Sequence, residues 1–272
     1  MICLTADVHH FLGTPGQLMY KDSESKLAKK YLEIAKKYNL KVTLFITGKA
    51  FKEDKEDIKK ILNFSNMEIG GHTWSAFRPI WIHKIFKLLT GSVYGPCFYQ
   101  KSDIRKTLFI IEEKTGARPV SWRTHAYESD ENTLKILERE GIKIVSDELS
   151  VTDYWPKKMN SSDVISLPIN VMPDHEHVYY GPERRMRKQM NLKKVDVFTN
   201  KAYSIDRYFD IIKSQIVKIN KAGGVATLLL HPQCMWLSDK FRTFEKICRF
   251  IAENGYETIW CREAPRYVGD MK

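Results

Sequence analysis

Apolar runs in this chain stop abruptly at ionisable residues, and they do so repeatedly. The first ten residues, MICLTADVHH, set the pattern, with Ile2, Cys3 and Leu4 leading straight into Asp7, His9 and His10. NMEIGGH ends at His72, PVSWRTH at His125, GVATLLLH at His231, and DVISLPINVMPDHEH at His175 and His177. A short apolar run that ends this way reads as a buried strand carrying side chains to the mouth of a site. Helical stripes lie between the runs. SESKLAKKYLEIAKKYNL places apolar residues at Leu27, Tyr31, Leu32, Ile34 and Ala35. DKEDIKKILNF, SDENTLKILEREG, YSIDRYFDIIKSQIVKINKAGG and DKFRTFEKICRFIAENG read as helices too, as does SDIRKTLFIIEEKTG, with Ser102 or Asp103 as its cap and Gly116 as its stop. KVTLFIT, IKIVSD and YETIW supply further strands.

The order is strand then helix, about seven times over, which predicts a parallel sheet with helices outside it. Polar residues gather at strand ends around the whole cycle. The expectation is therefore an α/β fold, a distorted (β/α) barrel of about seven parallel strands, with residues 1–272 forming one catalytic domain. In such a barrel the site lies at the carboxyl ends of the strands. Two stretches escape the pattern. FLGTPGQLMY and the aromatic segment 76–101 read as connections, the second long enough for a lid or binding loop. Residues 172–203 read as an irregular basic insertion.

Composition changes the picture only in places. At 272 residues the chain can bury a full core. No apolar run approaches the roughly 20 residues that span a bilayer, and no secretory signal opens the sequence. Five scattered cysteines without a CxxC pair point to a reducing compartment. These features predict a cytoplasmic protein without a membrane partner. The net charge of +11 is densest in PERRMRKQMNLKK, where Arg184, Arg185, Arg187, Lys188, Lys193 and Lys194 crowd together. A basic patch can hold nucleic acid, anionic lipid or an acidic substrate. With no zinc-finger, helix-turn-helix or RNA-binding signature, a solvated basic surface is expected rather than nucleic-acid binding, and an anionic substrate stays open. No GxGxxG or P-loop occurs. Nothing in the sequence sets the oligomeric state.

Asp7 and His9 are two apart on a strand end, so their side chains point the same way, and His10 points away. A carboxylate beside an imidazole, joined by His72, makes a nitrogen and oxygen set suited to zinc or a similar divalent ion. The same two residues would also serve as hydrogen-bonding partners inside a barrel. Gly70 and Gly71 turn the backbone before His72, and the Thr73 hydroxyl is placed to orient its ring. Arg123, at another strand end, suits pairing with a carboxylate, catalytic or structural. His125 either extends the metal shell or faces solvent. An imidazole at His231, before Pro232, suits a general acid. DHEH at 174–177 has the composition of a metal cluster but falls in the irregular insertion, where solvation is expected.

These residues carry a resemblance. LTAD at 4–7, GGHTW at 70–74, SWRTHAY at 121–127 and LLLHP at 228–232 are similar, in order and spacing, to the motifs of the polysaccharide deacetylase family, carbohydrate esterases sharing the chitooligosaccharide deacetylase homology domain. The resemblance implies a base at Asp7, a metal-binding His72, an arginine tuning the base at Arg123 and an acid at His231. It implies a metal-assisted amide hydrolase that deacetylates an acetylated amino sugar or polysaccharide. The departures are specific. Val8 stands where the family has a second aspartate and Ala76 where it has a second histidine, both metal ligands. Thr124 and His125 replace the usual prolines of the arginine motif. The expected metal set is thus His72, His9, Asp7 and His125, with zinc as the first candidate. Trp74, Tyr127 and Trp236 are candidates for stacking on a sugar, or equally for packing over the barrel mouth. The rival readings are a metal-free amidohydrolase of a small cyclic amide or ureide, and a carbohydrate-binding relative without turnover.

Overall fold

The computed structural model describes residues 1–20, 22–159, 162–178, 197–199 and 201–269, so the basic run 184–194 lies outside the described residues. The architecture grows from β1 (Ile2–Val8), all seven of whose residues are buried, as befits a strand covered on both faces. It pairs in parallel with β2 (Val42–Ile46), β8 (Ala226–Leu229) and β9 (Thr258–Ile259). Beyond β2 follow β3 (Met67–Gly71), β4 (Ser121–Trp122), β5 (Ile144–Val145) and β7 (Ile165–Ser166), all parallel, and β6 (Lys157–Lys158) is added antiparallel at the end. Among the described residues, eight parallel strands and one antiparallel strand stand where about seven parallel ones are expected.

The sheet curls until its ends meet across residues 169–171. Ile169 donates its N–H to Glu148, and Val171 donates to Thr227 on β8. Between them the Asn170 side chain stands in for backbone, donating to the Val225 carbonyl at 2.9 Å and accepting from the Thr227 N–H at 2.8 Å. The distorted barrel is closed by this side chain rather than by a full ladder.

The period of two divides β1 cleanly. Ile2, Leu4, Ala6 and Val8 face the helix layer, while Cys3 joins Phe45, Ile144, Leu167 and Ile259 inside the curl. Thr5 and Asp7 continue that inner column upward. Val8 is fully buried in the outer core, so no ligand reaches the site from the position of the family's second aspartate.

The helices follow their stripes. α2 (Glu24–Lys37) is capped by the Ser23 hydroxyl, which accepts from the Lys26 N–H, and buries Leu27, Ala28, Tyr31, Leu32 and Ala35. Tyr31 stacks on Phe244 of α11 (Arg242–Glu253), with ring centroids 3.6 Å apart. α4 (Lys55–Leu62), α7 (Glu131–Arg139) and α9 (Ile205–Lys221) complete the predicted set, with Asp130 and Thr133 forming a capping box on α7.

Some elements differ from expectation. α1 (Pro15–Leu18), α3 (Ala50–Glu53), α8 (Asp174–His177) and α10 (Pro232–Asp239) are short helices that periodicity misses. α5 (Ile80–Thr90) occupies the supposed connection 76–101, because IWIHKIF is apolar on several faces at once and shows no clean stripe. α6 runs Cys97–Thr115, starting at Pro96 rather than at Ser102 or Asp103. Asp103 is instead buried, accepting from the Trp74 N–H and the Tyr94 hydroxyl at 2.9 and 2.8 Å.

Candidate functional site

Four of the strand ends deliver side chains to one place. Asp7 comes from β1, His72 from the turn after β3, Arg123 and His125 from the turn after β4, and His231 from the end of β8. Five non-glycine residues with positive φ flank it, namely Thr73, Ala76, Phe77, Ala126 and Tyr127. Backbone of this kind costs free energy and is concentrated where side chains must be aimed.

Arg123 is fully buried and held from several sides. Its guanidinium donates to Asp7 Oδ1 at 2.9 Å, to the Ser146 carbonyl at 2.9 Å and to the Ser146 hydroxyl at 2.7 Å, and lies over the Phe45 ring. Burial alone would raise the Asp7 carboxyl, but the surrounding His72, Arg123, His231 and His9 outweigh it and hold Asp7 below the usual carboxylate range. Its second oxygen, Oδ2, lies 3.7 Å from His72 Nε2 and 3.9 Å from His231 Nε2.

Three imidazoles converge beside it. His9 Nε2, His72 Nε2 and His125 Nδ1 form a triangle with sides of 3.2, 3.2 and 3.3 Å. The outer partners assign the protons, since carboxylates and carbonyls only accept. His9 Nδ1 donates to Glu24 Oε2 at 3.0 Å, and His72 Nδ1 donates to the Arg123 carbonyl at 2.8 Å. Both Nε2 atoms therefore present lone pairs to each other when the rings are neutral. Burial keeps His72 neutral, pulling it down to about 4, and pushes His125 well below the ordinary imidazole value with help from His9 and His72. Lone pairs facing each other at this distance repel unless a cation sits between them. A tetrahedral zinc with Zn–N bonds of about 2.0–2.1 Å sets its ligand atoms roughly 3.3–3.4 Å apart. The donor set fits a divalent ion, with Asp7 beside the triangle rather than in it.

The Glu24 carboxylate, buried at the start of α2, also accepts from the His9 N–H at 2.8 Å and from Gln17 Nε2 at 2.7 Å. Burial would raise it, and His9 and Gln17 bring it below its ordinary value. Sequence reasoning misses Glu24, although it lies on the same helical face as Leu27, Ala28 and Tyr31, an odd place for a charge.

His231 is oriented by Asp174. The Asp174 carboxylate accepts from His231 Nδ1 at 2.6 Å and from the His231 N–H at 2.7 Å. Burial opposes charge on both partners and raises Asp174, while Asp174 raises His231 to about 9. The two N–H donors converging on one carboxylate place the shared proton on the imidazole. DHEH is thus not a solvated run: Asp174 and His177 are buried, and only His175 is exposed. The missed signal was the composition of DHEH itself.

His10, two residues past the end of β1, points away from the cluster as expected and meets the Thr47 hydroxyl. Other expectations need correction. The Thr73 hydroxyl does not orient His72 but accepts from the Ala76 N–H. Trp74 packs over Gly48 beneath the Lys106 ammonium, and Trp236 packs edge-on to Tyr20. Neither lines the cavity, a cleft of about 600 Å³ whose walls include Asp7, His9, His125, Tyr127 and His231.

The polysaccharide deacetylase family model matches residues 16–145. No curated protein sequence matches the chain significantly. Among solved structures, the fold is similar to a protein from Mycobacterium smegmatis assigned to the polysaccharide deacetylases, at 15% identity and a TM-score of 0.65, covering 97% of this chain and 91% of that one. It is also similar to PuuE allantoinase, at 14% identity and a TM-score of 0.64, covering 95% and 86%. A CE4 family pseudoenzyme from Bacillus anthracis matches at 14% identity and a TM-score of 0.54, covering 97% of this chain and 65% of that one. Residues 16–145 match the polysaccharide deacetylase family model, and the fold of the chain is that of the deacetylase-like (β/α) barrel.

Proposed function

We propose that the protein is a metal-assisted hydrolase of an amide bond, acting as an N-deacetylase of an acetylated amino sugar. One observation carries this reading. A lone-pair triangle of His9, His72 and His125, an ionised Asp7–Arg123 pair and a protonated His231 share one end of an open cavity. His9, His72 and His125 would hold the ion, for which zinc is the first candidate. When bound, it supplies a Lewis acid to polarise the acetyl carbonyl.

The chain's own residues supply the proton transfers. Asp7 Oδ1 is occupied by Arg123, which leaves Oδ2 to take a proton from the attacking water. Arg123 keeps that carboxylate ionised, and Ser146 keeps Arg123 in place. His231 Nε2 is charged at neutral pH and donates a proton to the departing amine, while Asp174 fixes the ring and its tautomer. Tyr127 lines the cavity and is available for a sugar face. The metal-free alternative needs a proton, in place of an ion, between His9 Nε2 and His72 Nε2.

The reading is tested by turnover of acetylated amino sugars with metal-loaded and chelator-stripped protein. Expected is hydrolysis that is lost on stripping, restored by a divalent ion, and reduced about 10²–10⁴-fold in His231→Asn. Turnover that survives stripping would move the assignment to the metal-free amidohydrolase. No turnover with metal bound would make this a relative that binds without catalysing.

A further inference from the structure

The cavity is bordered by two lips that are apolar and exposed, and one of them, α5, is also cationic. On α5, Ile80, Lys84 and Lys87 follow one helical stripe and line the cavity wall. The neighbouring stripe, Trp81, Ile85, Leu88 and Leu89, points outward, and these side chains are 63%, 45%, 84% and 75% exposed. The opposite lip is the segment 11–19, whose Leu12 and Pro15 line the cavity while Phe11, Leu18 and Met19 are exposed. Apolar area gathered at a site mouth marks an interaction surface, unlike single scattered residues.

The charge pattern selects the occupant. No Asp or Glu occurs between Asp7 and Asp22, nor between Glu68 and Asp103, so neither lip carries an acid, while Arg78, Lys84 and Lys87 stand beside the apolar stripe. A helix with an aromatic and aliphatic face flanked by lysines is built to lie in the headgroup region of an anionic bilayer. No described helix is long and apolar enough to cross a membrane. The surface therefore suits docking on a leaflet rather than spanning it.

We propose that the cavity mouth docks on an anionic lipid surface through α5 and the segment 11–19, so that the site takes its amide from an amphiphilic substrate held in that surface. Such docking goes beyond the expectation of no membrane partner, which rested on the lack of a spanning segment. The docking stands on the lips alone, and only the identity of the reacting group rests on the proposed hydrolase activity. Lys84 and Lys87, reaching from α5 into the cavity wall, are placed to meet the anionic head of a lipid-carried sugar.

The test is co-flotation of the metal-loaded full chain with vesicles of phosphatidylcholine alone or with about a third phosphatidylglycerol, a mixture that supplies the negative surface potential. Expected is binding to the anionic vesicles only, weakened by salt, and reduced at least about tenfold in Trp81→Ser/Leu88→Ser/Leu89→Ser, whose exposed positions leave the fold intact. Circular dichroism and thermal unfolding check that fold. As a second readout, anionic vesicles shift the protein's tryptophan emission to the blue, and Trp81→Phe removes most of the shift. Absence of binding overturns the proposal. So does binding unchanged in the triple variant, or an exposed stripe that instead drives concentration-dependent dimerisation abolished by the same substitutions. Vesicle binding without turnover would sink the hydrolase reading and leave the docking surface standing.

Discussion

Replacing Asp174 with Asn keeps an acceptor for His231 Nδ1 but removes the charge that keeps the ring protonated. The rise of His231 from 6.5 to about 9 corresponds to about 3 kcal/mol in favour of the cation. Burial opposes that cation and is overcome mainly by Asp174. In Asp174→Asn burial faces only weaker opposition, and His231 should titrate about two or more pH units lower. The sign for stability follows. A group raised in the folded state stabilises fully below its unfolded value of 6.5, and that stabilisation disappears as pH rises through about 9. Wild type should therefore lose up to about 3 kcal/mol from this group between pH 6 and 10, and the variant should not. Histidine-selective NMR titration reads the first quantity and urea unfolding across pH the second; neither needs a substrate. Should a substrate be found, the alkaline limb of its rate profile should move down with the NMR value. If His231 titrates at the same pH in both proteins, Asp174 does not set its charge and the general-acid assignment loses its basis.

Glu24→Gln weakens the acceptor behind His9 and should lower divalent-metal affinity about 10–100-fold in a competition titration, with the fold unchanged by circular dichroism. Arg123→Met leaves the buried Asp7 carboxylate without its partner, and urea unfolding should show a loss of about 3–5 kcal/mol. Gly70→Ala would place a methyl 2.5 Å from Phe45 Cδ1 and 2.8 Å from Ser121 Oγ. Overpacking of this kind costs about 1–3 kcal/mol and should appear as a lowered Tm.

The fold was legible because buried parallel strands and amphipathic helices announce themselves by period, as in VTLFI of β2 and the stripe of α2. The elements that escaped lack a period for stated reasons: α5 is apolar on several faces, and α1, α3 and α8 are four residues long. Barrel closure escaped as well, since it depends on the side chain of Asn170 rather than on a strand. At the site, strand-end positions foretold that Asp7, His72, Arg123, His125 and His231 would meet. Partners supplied from helix starts could not be read that way. Glu24 and Asp174 look like first-turn acids facing water, and only tertiary packing turns them inward onto His9 and His231. Trp74 and Trp236 are aromatic residues near the motifs, and that position says nothing of the direction a ring takes.

The departures at Val8 and Ala76 sharpen the question of whether the site holds an ion, and through which residues. In the structure His9 and His125 stand beside His72 with matching N···N distances, although neither occupies a usual ligand position of the family. The direct measurement is metal content by elemental analysis of the purified protein and of His9→Ala, His72→Ala and His125→Ala prepared alongside it. The account predicts about one divalent ion per chain in the wild type, as for a three-histidine site, and its loss in all three variants. A wild type that takes up no metal after incubation with divalent ions, or an ion retained in His9→Ala and His125→Ala, would contradict it.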